Sequence, residues 1–266
     1  MAKRYDKKQQ AARVMREQRE REQRRRQLIM GSAIVGVVVV ILGLIGVGLY
    51  LNQSEEVVPP QAQHTESGAI VVGDGPVTVD LYEDFMCPIC GLFDEEVGGE
   101  LKQMAEEGRI TLNVHPIAIL DGASQGTRYS TRSAAAAVCA ADDGKFVEYA
   151  DTLFTNQPEE QTPGLDDEEL IALGEEIGLG SSFESCVKDK TYRGWVQDAT
   201  DTASADGVTG TPTVFVDGEQ IEVPAGQGLD AVIEKLRTTL SAKLAEAGVD
   251  ESSSPSESAS EGTTQD

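Results

Sequence analysis

The period of the hydrophobic pattern changes repeatedly along the chain, and each change predicts an element. Leu28 to Leu51 contains no charged residue. As a helix those 24 residues rise roughly 36 Å, enough to cross a hydrocarbon core of about 30 Å. Ala69 to Val72 and Val77 to Phe85 are rich in β-formers, and the turn signal Gly73-Asp74-Gly75-Pro76 between them predicts two strands. From Cys90 to Glu107, Leu92, Phe93, Val97, Leu101 and Met104 recur near helical spacing, weakened by Gly98-Gly99, and Arg109 to Leu120 is β-like again. Ala134 to Ala141, Phe146 to Phe154, Asp166 to Leu179 and Tyr192 to Ala205 predict helices separated by Gly, Pro and acidic turns. Thr213 to Val216 and Gln220 to Val223 then flank the hairpin signal Asp217-Gly218, ahead of a long amphipathic helix over Leu229 to Ala247. The expected class is α/β, with a helical block at about 121–207 inserted between two groups of strands.

The two ends differ from this middle. Residues 1–27 carry 11 Lys and Arg against 4 Asp and Glu, a charge of +7 (11 − 4). The expected organisation is a basic cytoplasmic arm (1–27), a transmembrane helix (28–51), a polar linker with Pro59-Pro60 (52–66), a folded domain (67–247) and a Ser/Glu/Thr-rich acidic tail (248–266). The excess of Lys and Arg beside the span places the N-terminus inside and everything after Asn52 outside, so the chain is expected as a single-pass cell-membrane protein. A cleaved signal peptide is the competing reading, but its apolar region runs only about 7–15 residues. The net charge is −24, so residues 28–266 carry −31 (−24 − 7). So acidic an exterior repels phosphate backbones and argues against a nucleic-acid role.

All four cysteines follow the apolar span, and an even number of exported cysteines fits disulfide chemistry better than cytosolic metal binding. Cys87-Pro88-Ile89-Cys90 lies between a predicted buried strand and a predicted amphipathic helix. That position puts the first sulfur at a helix N-terminus, where free N–H groups and the macrodipole favour a thiolate, so Cys87 is the candidate nucleophile. One helical turn on, Cys90 is placed to resolve a mixed disulfide. Pro88 suits the first turn, because its φ is already helical and its missing N–H would have been unpaired. Two alternatives stay open: a structural disulfide, and half of a zinc site drawing on His64, His115, Cys139, Cys186 or carboxylates. A second Cys-x-x-Cys would have favoured zinc, and the chain has none. No metal and no separate cofactor are expected beyond a redox-active Cys87–Cys90 disulfide.

The run Val77-Thr78-Val79-Asp80-Leu81-Tyr82-Glu83-Asp84-Phe85 leading into Cys87-Pro88-Ile89-Cys90 resembles the DsbA-like members of the thioredoxin superfamily. Gly210-Thr211-Pro212-Thr213, just ahead of a strand, is similar to that family's cis-proline loop, and the helical insertion also matches. The resemblance covers roughly Ser67 to Ala247. With Tyr129-Ser130-Thr131-Arg132-Ser133 and Gln157-Pro158 it comes close to membrane-anchored proteins of Gram-positive actinobacteria. It implies a thioredoxin-like fold, a cis Pro212 beside Cys87, and a Thr211 backbone that pairs with an extended substrate segment. It implies that the protein introduces disulfides into exported protein thiols and is reoxidised by a quinone-linked membrane partner of the DsbB or vitamin K epoxide reductase type. A reductase or isomerase on the same fold, or a non-catalytic envelope binding module, are the alternatives.

Two departures from the family stand out. The buried acid that many relatives carry six positions before the first active cysteine is here Leu81, with Glu83 and Asp84 read as out of phase, which leaves proton handling at Cys90 unassigned. Ile89 offers no side-chain donor, so Cys87 is expected to be less acidic, and the protein less oxidising, than relatives with His there. Cys139, on the predicted Ala-rich helix, and Cys186, near the last helices of the insertion, read as a structural disulfide, with an electron relay as the alternative. His115 and Trp195 read as packing residues.

Overall fold

A computed structural model describes residues 55–224 and 226–249, so the basic arm and the apolar stretch 28–51 lie outside the described residues. Among the described residues no helix is long and apolar enough to cross a membrane. The chain runs β1 (Ile70–Val72), β2 (Val77–Glu83), α1 (Pro88–Phe93), a π-helical turn (Asp94–Gly98), α2 (Gly99–Glu106), β3 (Ile110–Pro116), a 3-10 turn (Asp121–Ala123), α3 (Tyr129–Asp142), α4 (Phe146–Thr155), α5 (Asp167–Glu176), α6 (Ser181–Lys188), α7 (Arg193–Ala205), β4 (Thr213–Val216), β5 (Glu219–Gln220) and α8 (Leu229–Glu246).

The strands form one five-stranded sheet in the order β1-β3-β2-β4-β5. Only β2 and β3 run parallel, joined through α1 and α2; the other neighbours are antiparallel. A strand covered on both faces shows little polar alternation, and β2 follows that rule. Val77, Val79 and Leu81 enter the main core, while Tyr82 joins a second cluster with Ile117, Ala203 and Val208. Leu101 and Met104 of α2, and Leu236, Leu240 and Leu244 of α8, pack into the main core.

The weak helical stretch around Gly98-Gly99 resolves as the π-turn between α1 and α2. A Cβ on Gly98 would lie 2.2 Å from Asp94 Oδ1, the oxygen that accepts from Lys102. The glycine thus gives Asp94 room to fold back against its own helix and meet Lys102.

Within the insertion, α3 is buried along almost its whole length, because its alanines let neighbouring helices approach closely. The segment expected as one helix over Asp166–Leu179 is shorter, and α6, not expected from periodicity, follows it. With eight residues and only Phe183 and Val187 buried, α6 is too short for its apolar period to repeat. A disulfide between Cys139 on α3 and Cys186 on α6 holds it in place, with a Cα–Cα distance of 5.9 Å. Closing that 47-residue separation restricts the unfolded chain by about 4 kcal/mol on loop-closure entropy. The double substitution Cys139→Ala/Cys186→Ala is therefore expected to lower the unfolding free energy by a few kcal/mol in a denaturant titration, while leaving exchange at Cys87 intact.

The stretch expected as a linker is not a free spacer from Glu55 onward. The Gln61 and Ala62 N–H groups donate to Asp142 Oδ1 at 2.7 and 3.0 Å, and Val71 N–H donates to the Gln63 carbonyl at 2.9 Å. Backbone pairing and the half-buried carboxylate at the end of α3 accept what polarity alone reads as linker.

Candidate active site

At the end of β2 the chain reverses into α1 around a buried carboxylate. Asp84 Oδ1 accepts the Met86 N–H and Oδ2 accepts the Leu120 N–H, both at 2.9 Å. Its backbone carbonyl takes the Cys87 N–H at 2.9 Å. The turn delivers Cys87 to the N-cap of α1, in extended conformation with Pro88 just inside the helix. The Cys87 carbonyl then accepts from Cys90 and Gly91 N–H at 3.0 and 3.2 Å. Both sulfurs are unbonded and buried, with Cys87 at 7% exposure and Cys90 at 1%.

Their environments push the two thiols apart. The Cys90 side chain donates to Cys87 and, with Thr211 and the backbone N–H groups of Cys90 and Ile89, brings the Cys87 thiol down to about 6 against the opposing effect of burial. Burial first, and then the neighbouring Cys87, hold Cys90 well above the ordinary thiol range. At neutral pH the reduced pair therefore carries one negative charge on Cys87 and one proton on Cys90.

The loop before β4 closes the site. Thr211–Pro212 is a cis peptide, and Cys87 Sγ lies 3.4 Å from the Thr211 carbonyl oxygen. The buried Thr211 hydroxyl has no hydrogen-bond partner among the described residues, and Thr211 holds down the pKa of both sulfurs. Thus the structure brings together Cys87, Pro88, Cys90, Thr211 and Pro212 from segments more than a hundred residues apart. Ile89 points outward at 45% exposure, so the acidity of Cys87 comes from the backbone, Cys90 and Thr211.

The reading of the acidic residues needs correction. Leu81 and Glu83 are two apart on one strand and share a face, and both line a small enclosed cavity with Asp94, Leu101 and Lys102. Glu83 is therefore in phase with the position where relatives carry an acid, and it is buried. Burial, with Asp94 nearby, pushes it up to about 8, which Lys102 opposes. Asp84, also buried, is pushed up to about 6, with its two backbone donors opposing the shift. Asp84 is the acid whose charge is felt beside Cys87. Strand alternation was the signal that could have found Glu83.

Cys139 and Cys186 lie in the insertion, bonded to each other. His115 is buried at 1% exposure, stacked on Tyr82 at 3.9 Å and 3.2 Å from Asp80, and Trp195 is core. Among the described residues no group of three His, Cys, Asp or Glu side chains is placed to hold a metal ion.

Comparison with known proteins agrees with this geometry. The thioredoxin family profile (Thioredoxin_4) matches residues 66–235. Oxidised DsbA from Mycobacterium tuberculosis superposes with a TM-score of 0.57 at 31% identity, covering 68% of this chain and 93% of that one. The reduced disulfide bond oxidoreductase DsbG of the same organism gives 0.56 at 30%, covering 68% and 88%. The serine/threonine-protein kinase PknE of M. tuberculosis is 28% identical over 156 residues, which is 55% of this chain and 27% of PknE. The chain thus spans about a quarter of that relative's length. The fold is the thioredoxin-like α/β fold with a helical insertion, and the chain belongs to the thioredoxin family, among its DsbA-like thiol-disulfide oxidoreductases.

Proposed function

We propose that the protein introduces disulfides into exported proteins, with Cys87–Cys90 as its redox-active pair and no other cofactor. The observation that carries this is the opposed pair of thiols. A sulfur that is a stable thiolate is a good leaving group, so a client gives up its electrons readily to the Cys87–Cys90 disulfide. A client thiolate attacks Cys87 Sγ, the Cys87–Cys90 bond breaks, and Cys90 departs with the electron pair and takes up a proton. The client's second thiolate then attacks the mixed disulfide at the client sulfur and releases Cys87 as thiolate. Two electrons have passed to the enzyme, and a quinone-linked membrane partner of the DsbB or vitamin K epoxide reductase type takes them on. Thr211 offers backbone beside Cys87 for an extended client segment, and exposed Ile89 and Leu92 form an apolar rim beside it.

The same reading places residues 67–247 outside the cell membrane, tethered by a single span at 28–51 with the basic arm inside and 248–266 as an acidic tail. The charge asymmetry of the chain and the Cys139–Cys186 disulfide support that compartment.

The reduction potential of the Cys87–Cys90 pair in the purified full-length chain, equilibrated against glutathione, tests the direction. A value well above thioredoxin's roughly −270 mV, towards the roughly −120 mV of DsbA, is expected; one at or below thioredoxin's turns the assignment to a reductase.

A further inference from the structure

The insertion reaches the active-site turn through one side chain that the exchange chemistry does not itself use. Gln157 follows α4, and its Nε2 donates to the carbonyl oxygens of Phe85 and Cys87, each at 3.0 Å. Two carbonyl acceptors require the amide nitrogen rather than its oxygen, and its two N–H groups satisfy both at once. The amide oxygen is turned towards α1, where a Cβ on Gly91 would come within 2.6 Å of it. Close by, the Phe154 ring packs on Phe85 with centroids 5.0 Å apart, and Lys102 bridges Asp94 to Asp151 of α4.

The two carbonyls that Gln157 holds lie in the turn that carries Cys87, one two residues ahead of it and the other its own. The first belongs to the Phe85–Met86 peptide and the second to Cys87–Pro88, whose proline can make no N–H bond of its own. The helix that begins there has only six residues, and its N-cap has no side-chain cap. Beyond the turn's own bonds, from Cys87 N–H to Asp84 and from Cys90 and Gly91 N–H to Cys87, Gln157 is among the described residues the one side chain from another element that donates to its carbonyls.

We propose that Gln157 is a positioning residue for thiol-disulfide exchange: by holding the Phe85 and Cys87 carbonyls it sets the backbone around the nucleophile, so that the Cys87 sulfur meets the first-turn N–H groups of α1. The helical insertion then tunes the reactivity of the site as well as covering the sheet. This rests on Cys87 being the exchanging thiol.

The test uses the full chain carrying Gln157→Met, which keeps most of the side-chain volume and removes both donors, and Gln157→Glu, which keeps its shape and cannot donate when ionised. Thiolate absorbance against pH, the glutathione equilibrium and thermal unfolding are read on each, below the melting temperature of the less stable variant. The expected result is a Cys87 thiolate fraction at pH 6 that falls about three- to tenfold, the equivalent of one or two net hydrogen bonds. The glutathione equilibrium moves towards the oxidised pair by a similar factor. Variants that melt lower but titrate and equilibrate like the wild type overturn the proposal, because a residue that only braces the fold changes the first reading and not the other two. Should the wild-type Cys87 itself titrate as an ordinary thiol and fail to exchange, the exchange reading falls. A low-titrating wild type beside unaffected variants removes only the role of Gln157.

Discussion

Replacing Cys87 with serine is expected to abolish disulfide transfer to a reduced two-thiol client, a fall of at least about a thousandfold, because a hydroxyl is neither a nucleophilic thiolate nor half of a disulfide. Cys90→Ser is expected to behave differently. It leaves Cys87 able to attack and removes the thiol that resolves, so a Cys87–client mixed disulfide should accumulate and be visible by mass. The asymmetry follows from the geometry. Cys87 sits at the N-cap, with its thiol brought down to about 6, whereas Cys90 lies behind it at 1% exposure and keeps its proton. A wild-type protein that transfers no disulfide, with a Cys87→Ser variant that loses only stability, would favour a binding module with a structural bridge. In the reduced protein the depressed Cys87 value has a thermodynamic counterpart. It contributes stability that is fully present above the ordinary thiol value of 9.0 and is lost as pH falls through about 6.

The second large effect is expected at Glu83, and its sign is opposite. Its ordinary value of 4.5 is raised to about 8, so the folded protein keeps a proton that the unfolded chain releases. Stability from this group is fully present below pH 4.5 and is lost as pH rises through about 8. At pH 8 to 9 the buried charge costs on the order of 3–5 kcal/mol at 1.36 kcal/mol per pH unit. Asp94, Lys102, Asp151 and Asp84 are the charged groups around it; Lys102 eases the charging and the three carboxylates oppose it. Glu83→Gln should therefore be more stable than wild type above pH 8, and its curve of unfolding free energy against pH should be flatter between pH 5 and 9. Parallel curves for the two proteins would contradict the burial of an ionisable Glu83. Exchange at neutral pH should change far less than in the cysteine variants, because the charges that shift Glu83 do not include either sulfur.

How much of this was legible beforehand differs from residue to residue. The strand at Thr213–Val216 and the helix beginning at Leu229 lie where the pattern puts them, because alternation and amphipathic period are written locally. The helix carrying Cys186 was not legible, since its eight residues bury only Phe183 and Val187 and end before that spacing can repeat. Nor was the docking of residues 55–66, whose backbone groups find partners only once Asp142 and the edge of β1 are in place. Glu83 points inward with Leu81 through the period-two alternation of the strand, which a count of positions back from Cys87 does not register.

By itself the sequence determined that the chain is α/β with an inserted helical block, that its cysteines fall into a close pair and a distant one, and that Cys87 would meet the start of a helix. Those properties depend on composition and on neighbours within one or two turns. Only the tertiary structure decided that Thr211 would touch the Cys87 sulfur across 124 positions, that Gln157 would hold the carbonyls of Phe85 and of Cys87 itself, and that burial would keep the proton on Cys90. The physical reason is that hydrogen bonds and desolvation act through space at about 3 Å, and nothing local in the chain records which distant groups folding will bring that close.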